Sequence, residues 1–539
     1  MLRTVTCYPS ASAHCDRNVD RASRHSVIQL VYTSFPDLLP LSAFLRKGGL
    51  EEQFLALQML FGVQQQTAPL PFSMTISPVV PVTRNSSPGL TKEPGLSTVT
   101  ILLLMNRTDR PNILIILADD HGYGDVSMHQ GPHILTPNMD RIARDGIRFR
   151  HFYANSSVCS PSRAALMTGR YPDRVGVPGV IRTHAENNWG YFRQDAVTLP
   201  TMLRNAGYHT SLIGKWHLGL DPENHPCRRG FDHFHGFLGD MMDDYLTHLR
   251  HDINYMQLDE QEIDPAGHAT DLFTDWGVHY IEERATQDEP FFLYLAYNAP
   301  HTPIQPPDDW VERVRQREPE ATDERVRYIA LVEHMDHGIG RVLDTLELSG
   351  QLSNTLVVYT SDNGGQMNVG ATNGPYRGEK GDMYEGGLRV PACAMWPGQI
   401  AAGSVTDQVA MLMDLFPTAC AAAGVKVEHH IEGQSLLPTL CGESQDCADR
   451  ILYWVRREGG DRFLGLCQHA VRQGDLKLLH NGAFDPLELF DLGADPYEQD
   501  ERSADAGSLK AMRTLLQQEI QVAGGVPWQR ADAAGYPPM

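Results

Sequence analysis

The architecture of this 539-residue chain is indicated by one apolar run, Asn112-Ile113-Leu114-Ile115-Ile116-Leu117. A run that is apolar at every position is typical of a strand buried on both faces of a parallel sheet. Similar runs recur further along the chain at 210–213, 291–296 and 356–360. Stretches with helical character lie among them at 139–147, 197–205 and 324–346. This alternation predicts an α/β fold with a large, mostly parallel sheet flanked by helices.

Each of the apolar runs is followed closely by polar side chains. In chain order these are Asp119-Asp120, then Lys215 and His217, then His301, and finally Asp362-Asn363. Open α/β sheets bind their ligands at the carboxyl ends of the strands. We therefore expect these residues, which are far apart in the sequence, to form one shared site.

A cysteine begins a second informative stretch, Cys159-Ser160-Pro161-Ser162-Arg163. Pro161 suits the first position of a helix, and Gly169 suits the residue just past the end of one. The stretch thus places Cys159 at a helix N-terminus, where free backbone N–H groups favour an anion, and Arg163 adds a positive charge about one turn along. The pattern predicts a site for a tetrahedral anion; the alternative is a buried structural cysteine beside a capped helix.

The two acidic pairs, Asp119-Asp120 and Asp362-Asn363, offer only oxygen ligands. Hard, oxygen-only ligation favours Ca²⁺ or Mg²⁺ over zinc. Acidic residues at strand ends are also common as solvated turn formers, and this second interpretation stays open for each pair alone.

Composition sets limits on partners and compartment. The net charge is −22, from 67 acidic and 45 basic residues, so neither a nucleic acid nor an anionic membrane is expected as a partner. Nine irregularly spaced cysteines indicate neither a disulfide framework nor a zinc site. No run reaches the roughly 18–20 apolar residues of a membrane span. The first residues lack the apolar core of a signal peptide, which favours a cytoplasmic location over a periplasmic or secreted one.

Three regions are expected from the composition along the chain. Residues 1–108 are rich in Ser, Thr and Pro without a sustained period, and are expected to be an extension that is disordered or outside the fold. Residues 109–440 carry the strand ends and are expected to be the catalytic domain. Residues 441–539 are less regular and are expected to form a small α+β subdomain.

The run from Cys159 to Arg170 reads C-x-P-S-R-x-x-x-x-T-G-R and resembles the signature of the type I sulfatases. The run from Gly374 to Gly387, G-x-x-x-G-x-K-x-x-x-x-E-G-G, is similar to a second sulfatase motif. Together with the two acidic pairs, the resemblance covers about residues 110–500. It implies an alkaline-phosphatase-like sandwich with a small antiparallel C-terminal domain, and a sulfuric ester hydrolase that releases inorganic sulfate.

The resemblance also implies cofactors and a maturation partner. Cys159 would be oxidised to formylglycine by a formylglycine-generating enzyme, and the aldehyde hydrate would be the nucleophile. The metal would be Ca²⁺, preferred over Mg²⁺. Its ligands would be Asp119, Asp120, Asp362 and Asn363, together with residue 159.

Roles for the remaining polar residues follow from the same resemblance. Arg163 would hold the formylglycine hydrate, and Lys215 and Lys380 would contact sulfate oxygens. His301, with Lys380, would serve the leaving oxygen as general acid. His217 would take the proton from the second hydroxyl of the hydrate.

Two loops with polar and aromatic residues suit a sulfated sugar, although a solvated surface explains them equally well. The insert at 176–193 contains His184 and Trp189, and the loop at 240–251 contains Tyr245. The substrate is expected to be a sulfated carbohydrate or an aryl sulfate. The alternatives are a phosphonate or phosphodiester hydrolase with the same nucleophile and metal, and a non-catalytic sulfoglycan-binding relative.

Overall fold

A computed structural model describes residues 110–129, 131, 133–184, 190–447, 449–459 and 462–524, and the backbone of 26–31 and 98–103. The chain divides into two compact units, Met1–Asp109 and Arg110–Met539. In the first unit, two strands pair antiparallel with Ser26 opposite Leu103. The rest of the extension expected over 1–108 lies outside the described residues.

Strands and helices alternate along the described part of the chain. The strands are β1 (Ser26–Val31), β2 (Thr98–Leu103), β3 (Asn112–Ala118), β4 (Ile147–Phe149), β5 (Phe152–Tyr153), β6 (His209–Lys215), β7 (His233–Phe237), β8 (Leu249–Arg250), β9 (Ile253–Asn254), β10 (Met256–Leu258), β11 (Gln261–Glu262), β12 (Phe291–Ala296), β13 (Thr355–Ser361), β14 (Ala392–Met395), β15 (Ser404–Thr406), β16 (Ala410–Met411), β17 (Ile451–Arg457), β18 (Cys467–Gln473), β19 (Leu476–His480) and β20 (Glu488–Asp491). The α-helices are α1 (Pro137–Arg144), α2 (Cys159–Thr168), α3 (Leu199–Asn205), α4 (Ala269–Arg284), α5 (Asp308–Arg317), α6 (Asp323–Leu348), α7 (Glu385–Leu388), α8 (Leu415–Ala422), α9 (Leu437–Leu440) and α10 (Ala506–Ala523). Among these helices, none has both the length and the apolar character that crossing a membrane requires.

The second unit is built on a ten-stranded sheet in the order β11-β10-β7-β6-β12-β3-β13-β14-β4-β15. Its central strands, from β7 through β6, β12 and β3 to β13, are all parallel. Antiparallel strands flank them, β10 beside β7 and β14 beside β13. The predicted large, mostly parallel sheet is therefore confirmed.

Helices cover both faces of this sheet, and β3 shows why its sequence is apolar throughout. Ile113, Ile115 and Leu117 enter the core on one face, which α2, α3 and α8 cover. Leu114 and Ile116 enter the core on the other face, beneath α1, α4 and α6. Because both sets of alternate side chains are buried, the strand cannot show the polar–apolar alternation of a half-exposed strand.

The predicted strands and helices lie within a few residues of the observed ones, with one correction. The helix expected over 139–147 ends at Arg144, and Ile147 begins β4. The chain turns at Gly146, where a Cβ atom would lie 2.0 Å from the backbone oxygen of Ala394. The short strands β9, β10 and β11 were not predicted, because two or three residues are too few to show a period. Helix α4 was not predicted either.

The C-terminal part contains the antiparallel sheet implied by the family resemblance. Its strand order is β17-β18-β19-β20, and helix α10 packs on β18 and β19. Its core is shared with residues from the larger part of the unit, including Tyr153, Ala165 and Leu388. The division at residue 440 stays a prediction.

Candidate active site

The predicted strand-end residues meet at one edge of the parallel sheet. Strands β6, β12, β3 and β13 are adjacent in that order, so their carboxyl ends lie side by side. The polar side chains that follow them are all less than one-tenth exposed: Asp119, Asp120, Lys215, His217, His301, Asp362 and Asn363. Parallel pairing therefore gathers into one buried cluster residues that are up to about half the chain apart in sequence.

Helix α2 directs its first turn toward this cluster. It begins at Cys159 and ends before Gly169, which adopts the left-handed conformation expected of a helix terminator (φ 67°). Pro161 falls at the third helical position, where the missing N–H would also have no intrahelical acceptor. The ligand atoms of Cys159, Asp119 and Asp362 lie within 4.8 Å of one another.

Arg163 is fully buried and joins the two acidic pairs. Its Nε and Nη2 lie 2.9 Å and 2.8 Å from Oδ2 of Asp362, and Nη2 lies 3.5 Å from Oδ1 of Asp119. Its Nη1 donates a hydrogen bond to the backbone carbonyl of Lys215 at 3.1 Å. The guanidinium thus fixes two carboxylates that are predicted to be metal ligands.

Two lysines approach the first acidic pair. Nζ of Lys215 lies 2.5 Å from Oδ2 of Asp119, and Nζ of Lys380 lies 2.6 Å from Oδ2 of Asp120. Nζ of Lys380 also lies 3.0 Å from Nε2 of His301. The Lys380 side chain is 17% exposed, whereas that of Lys215 is fully buried, so Lys380 marks the open side of the cluster.

The charges of this cluster shift several pKa values. Burial opposes ionisation of Asp119, but Lys215, His301 and Arg163 more than offset it and lower its pKa. Burial, helped by the nearby charge of Asp119, raises the pKa of Asp362 to about 7. Burial also disfavours the Lys380 ammonium, yet Asp120 outweighs it and the pKa of Lys380 is raised.

Two oxygen atoms of this cluster are suitable ligands for a hard cation. Oδ1 of Asp119 and Oδ1 of Asn363 are buried, and neither accepts a hydrogen bond from any described residue. The Nδ2 atom of Asn363 donates to Oδ1 of Asp120 at 2.8 Å. Buried acceptors without donors are costly, and an ion with oxygen ligands, Ca²⁺ or Mg²⁺, would satisfy both.

Cys159 is 3% exposed, and its thiol is not a reactive one. Burial raises its pKa to about 11, although Lys215 and Lys380 act in the opposite direction. The encoded side chain is therefore a protonated thiol at neutral pH, and the helix N-terminus alone does not activate it. That Cys159 is a precursor residue stays a prediction.

His217 is held in a left-handed backbone conformation (φ 61°), which is uncommon for a residue other than glycine. Its Nε2 lies 2.8 Å from the carbonyl oxygen of Ile181 and so carries the proton. Its Nδ1 is buried and has no hydrogen-bond partner among the described residues. Burial, followed by the charge of Lys215, holds its pKa well below the usual value, so the ring is neutral with a free lone pair.

Asn373 is a positioning residue that the sequence reasoning missed. Its side chain donates to the carbonyl oxygens of Gly365 and Gly378 and accepts from the N–H of Gly365. The backbone N–H of Lys380 also donates to the Gly365 carbonyl, at 3.1 Å. Asn373 therefore ties the loop after β13 to the loop of Lys380; the only signal was an asparagine next to a glycine.

The residues predicted to contact the substrate are less well supported. His184 is exposed, and its ring centre lies 4.1 Å from that of His251, so the two predicted loops meet. Trp189 lies outside the described residues. In the second loop, Arg250 forms ion pairs with Asp240 and Asp243, and Tyr245 is 1% exposed, so these groups are engaged within the protein.

The fold is that of an alkaline-phosphatase-like hydrolase, and the buried polar cluster lies at the carboxyl edge of its sheet. Residues 111–425 match the sulfatase family, and residues 378–523 match the C-terminal region of N-sulphoglucosamine sulphohydrolase. The chain belongs to the sulfatase family and is a sulfuric ester hydrolase.

Individual relatives agree with this assignment. N-acetylgalactosamine-6-sulfatase of Mus musculus is 35% identical over 378 residues, which are 66% of this chain and 70% of that protein. The solved structure of Ps i-CgsB in complex with k-i-k-neocarrahexaose is 32% identical with a TM-score of 0.70, covering 78% of this chain and 93% of the other. The structure of BT4656 with its substrate D-glucosamine-2-N,6-O-disulfate is 26% identical with a TM-score of 0.64, covering 78% and 100%.

Proposed function

We propose that this protein hydrolyses the sulfate ester of a sulfated carbohydrate, using a nucleophile made from Cys159 and a bound Ca²⁺ ion. The observation that carries the proposal is the position of Cys159 within 4.8 Å of Asp119 and Asp362, beside two buried oxygens that lack donors. The carbohydrate is inferred from the relatives, whose names and complexes concern sulfated sugars.

Cys159 would be converted by a formylglycine-generating enzyme. The conversion is a two-electron oxidation of –CH₂–SH to –CHO, in which an external oxidant used by the converting enzyme would supply the oxygen atom that enters, and H₂S would be released. The hydrated aldehyde would supply one hydroxyl as the nucleophile, and loss of the proton from the second hydroxyl would re-form the aldehyde and release sulfate. The raised pKa of the unconverted thiol explains why the encoded cysteine would not serve instead.

Asp119, Asp120, Asp362 and Asn363 would hold the metal, with residue 159 beside them. Ca²⁺ bound there would draw negative charge from the sulfate oxygens as the ester bond breaks. Arg163 would keep Asp119 and Asp362 in place as ligands and offset part of their charge.

Lys215 and Lys380 would stabilise the charge that develops on the sulfate oxygens, since both ammonium groups are already held in the cluster. The Nδ1 atom of His301 lies 2.7 Å from the carbonyl oxygen of Thr302, so Nδ1 carries the ring proton and Nε2 faces Lys380. Lys380 would supply the proton with which it and His301 together serve the leaving oxygen as general acid. His217 would accept a proton at its free Nδ1 when sulfate is released.

The test is hydrolysis by protein co-expressed with a formylglycine-generating enzyme. Substrates would be N-acetylgalactosamine 6-sulfate, D-glucosamine-2-N,6-O-disulfate, a neocarrageenan oligosaccharide, 4-nitrophenyl sulfate and an aryl phosphodiester. We expect sulfate release from at least one sugar, its loss in Cys159→Ala, and its loss on chelation with recovery when Ca²⁺ is added. Faster turnover of the phosphodiester than of every sulfate ester would contradict the proposal.

A further inference from the structure

Tyr245 belongs to a loop that the sequence analysis connected with sugar binding, yet its side chain is buried beneath the active site. Its hydroxyl oxygen lies 2.8 Å from the carbonyl oxygen of Asn298 and 2.8 Å from that of His301. We propose that Tyr245 is a positioning residue for His301, acting through the backbone turn that carries this histidine. The inference rests on the proposed function, in which His301 serves the leaving oxygen.

The hydroxyl is the donor that holds the turn from 298 to 301 together. The N–H of His301 donates to the Asn298 carbonyl at 2.9 Å, which closes the turn from one side. The Tyr245 hydroxyl lies against both carbonyl oxygens from the other side. Two carbonyl oxygens that face the same buried point repel each other unless a donor lies between them. Burial raises the pKa of Tyr245 well above its usual value, so the hydroxyl keeps its proton.

The orientation of the turn at 298–301 determines where the imidazole of His301 lies. Because Nδ1 of His301 bonds to the carbonyl of the next residue, Thr302, the ring is fixed relative to its own backbone. This places Nε2 at 3.0 Å from Nζ of Lys380 and 3.5 Å from Oδ2 of Asp120. A shift of the turn would therefore move Nε2 away from Lys380, and proton transfer is sensitive to displacements of this kind.

Tyr245 is itself held firmly, as a positioning residue must be. Its backbone N–H donates to Oε1 of Gln305 at 2.7 Å, and its carbonyl accepts from the N–H of Ala269 at 2.8 Å. The Nε2 atom of Gln305 in turn donates to Oδ2 of Asp244 at 2.9 Å. Contacts with α4 and with the segment after His301 thus hold the loop at 240–251 in place, and this loop in turn supports the turn at 298–301.

The decisive experiment compares leaving groups in Tyr245→Phe. A sugar alkoxide needs a proton as it leaves, whereas 4-nitrophenolate leaves without one. If Tyr245 positions His301, kcat falls by about tenfold or more on the best sugar sulfate and by no more than about twofold on 4-nitrophenyl sulfate, with KM unchanged. His301→Gln should show the same selectivity for leaving groups, with a larger loss.

The matched control is Tyr297→Phe. Tyr297 is also fully buried and directly precedes the turn at 298–301. Its hydroxyl, however, forms a hydrogen bond with Oγ1 of Thr274 at 2.9 Å and not with the turn. We expect this variant to lose stability without any selectivity between the two leaving groups. Equal losses of kcat on both substrates in Tyr245→Phe would overturn the proposal, because a general loss of structure acts on both.

A crystal structure of Tyr245→Phe separates this inference from the proposed function. We expect the carbonyls of Asn298 and His301 to move apart, and Nε2 of His301 to leave hydrogen-bond distance of Lys380. An unchanged turn would overturn the positioning role even if the protein is an active sulfatase. Failure of the wild-type protein to hydrolyse any sulfate ester would instead overturn the proposed function, while the displaced turn would still support the structural link.

Discussion

The ammonium of Lys215 donates a hydrogen bond to Oδ2 of Asp119 across 2.5 Å, and both side chains are fully buried. Lys215 ends β6 and Asp119 follows β3, with β12 between these two strands. The pair therefore spans three strands of the sheet and connects a proposed sulfate contact with a proposed metal ligand. Changes at either residue should affect both charge balance and catalysis.

Lys215→Met removes the positive charge but keeps most of the side-chain volume. We expect at least about a 100-fold loss of kcat, because a donor to the developing charge is lost. The free energy of unfolding should fall by roughly 3–5 kcal/mol, since Asp119 is left as a buried charge with less compensation. Sulfate release and chemical denaturation measure the two effects. Lys426→Met, at a lysine that is 76% exposed, should change neither; an active Lys215→Met variant would exclude the assigned role.

Cys159→Ala should abolish sulfate release while the protein stays folded, since only one buried sulfur atom is removed. Mass spectrometry of wild-type protein matured by the converting enzyme should show one oxygen gained and H₂S lost in the peptide that contains Cys159. Cys393 is the matched control, because it is also fully buried and lies outside the cluster. The Cys393→Ala variant should keep activity. In the digest of wild-type protein, the peptide that contains Cys393 should have its unmodified mass. Full activity with an unmodified Cys159 would refute the precursor role.

Acid should destabilise the protein through a second buried cluster, in which Nζ of Lys477 lies 2.9 Å from Glu385 and 2.8 Å from Glu498. Burial opposes ionisation of Glu385, but Lys477 outweighs it and lowers the pKa from the usual 4.5 to about 2. Because this folded-state pKa lies below the unfolded one, the contribution of ionised Glu385 is complete above pH 4.5 and disappears as the pH falls toward 2.

Lys477→Met tests this dependence. At pH 7 the variant should be less stable than wild type by roughly 3–5 kcal/mol, because a buried charge partner is removed. The difference should shrink as the pH falls below 4.5, where Glu385 becomes protonated in the unfolded state first. Denaturation curves at several pH values measure it, with the exposed Lys510→Met as control. A difference that does not change with pH would show that Glu385 is not the titrating group.

Gly364 follows Asp362 and Asn363, which are proposed to hold the metal, and no side chain fits at this position. A Cβ atom at this position would lie 1.9 Å from the carbonyl oxygen of Gly386, which belongs to α7. Gly364→Ala should therefore push apart the loop of Asn363 and helix α7, at a cost of about 1–3 kcal/mol or more, and lower Ca²⁺ affinity. Thermal unfolding and calcium titration measure both. Gly507→Ala, in the first turn of α10, should be neutral; unchanged calcium binding in Gly364→Ala would contradict the packing argument.

The sequence allowed the central sheet to be predicted, and also which polar residues cluster at its edge, because these features are encoded locally. Continuous apolar runs specify buried strands, and the chemistry of Asp119, Asp362 and Cys159 is present in the residues themselves. The short edge strands and α4 carried no comparable pattern. Neither did Asn373, because its role depends on two loops that come together only in the folded chain.

Contacts between distant residues required the tertiary structure. Local patterns allowed the loop of Tyr245 to be either a sugar-binding loop or a solvated surface loop, whereas the structure buries its side chain with the hydroxyl 2.8 Å from the carbonyl oxygen of His301. They also placed Cys159 at a helix start that favours an anion, whereas burial raises the pKa of its thiol to about 11. Residue types and short spacings decide which elements form and which chemistry is available. The packing of those elements decides which groups are desolvated and paired, and therefore which charges and protons the site holds.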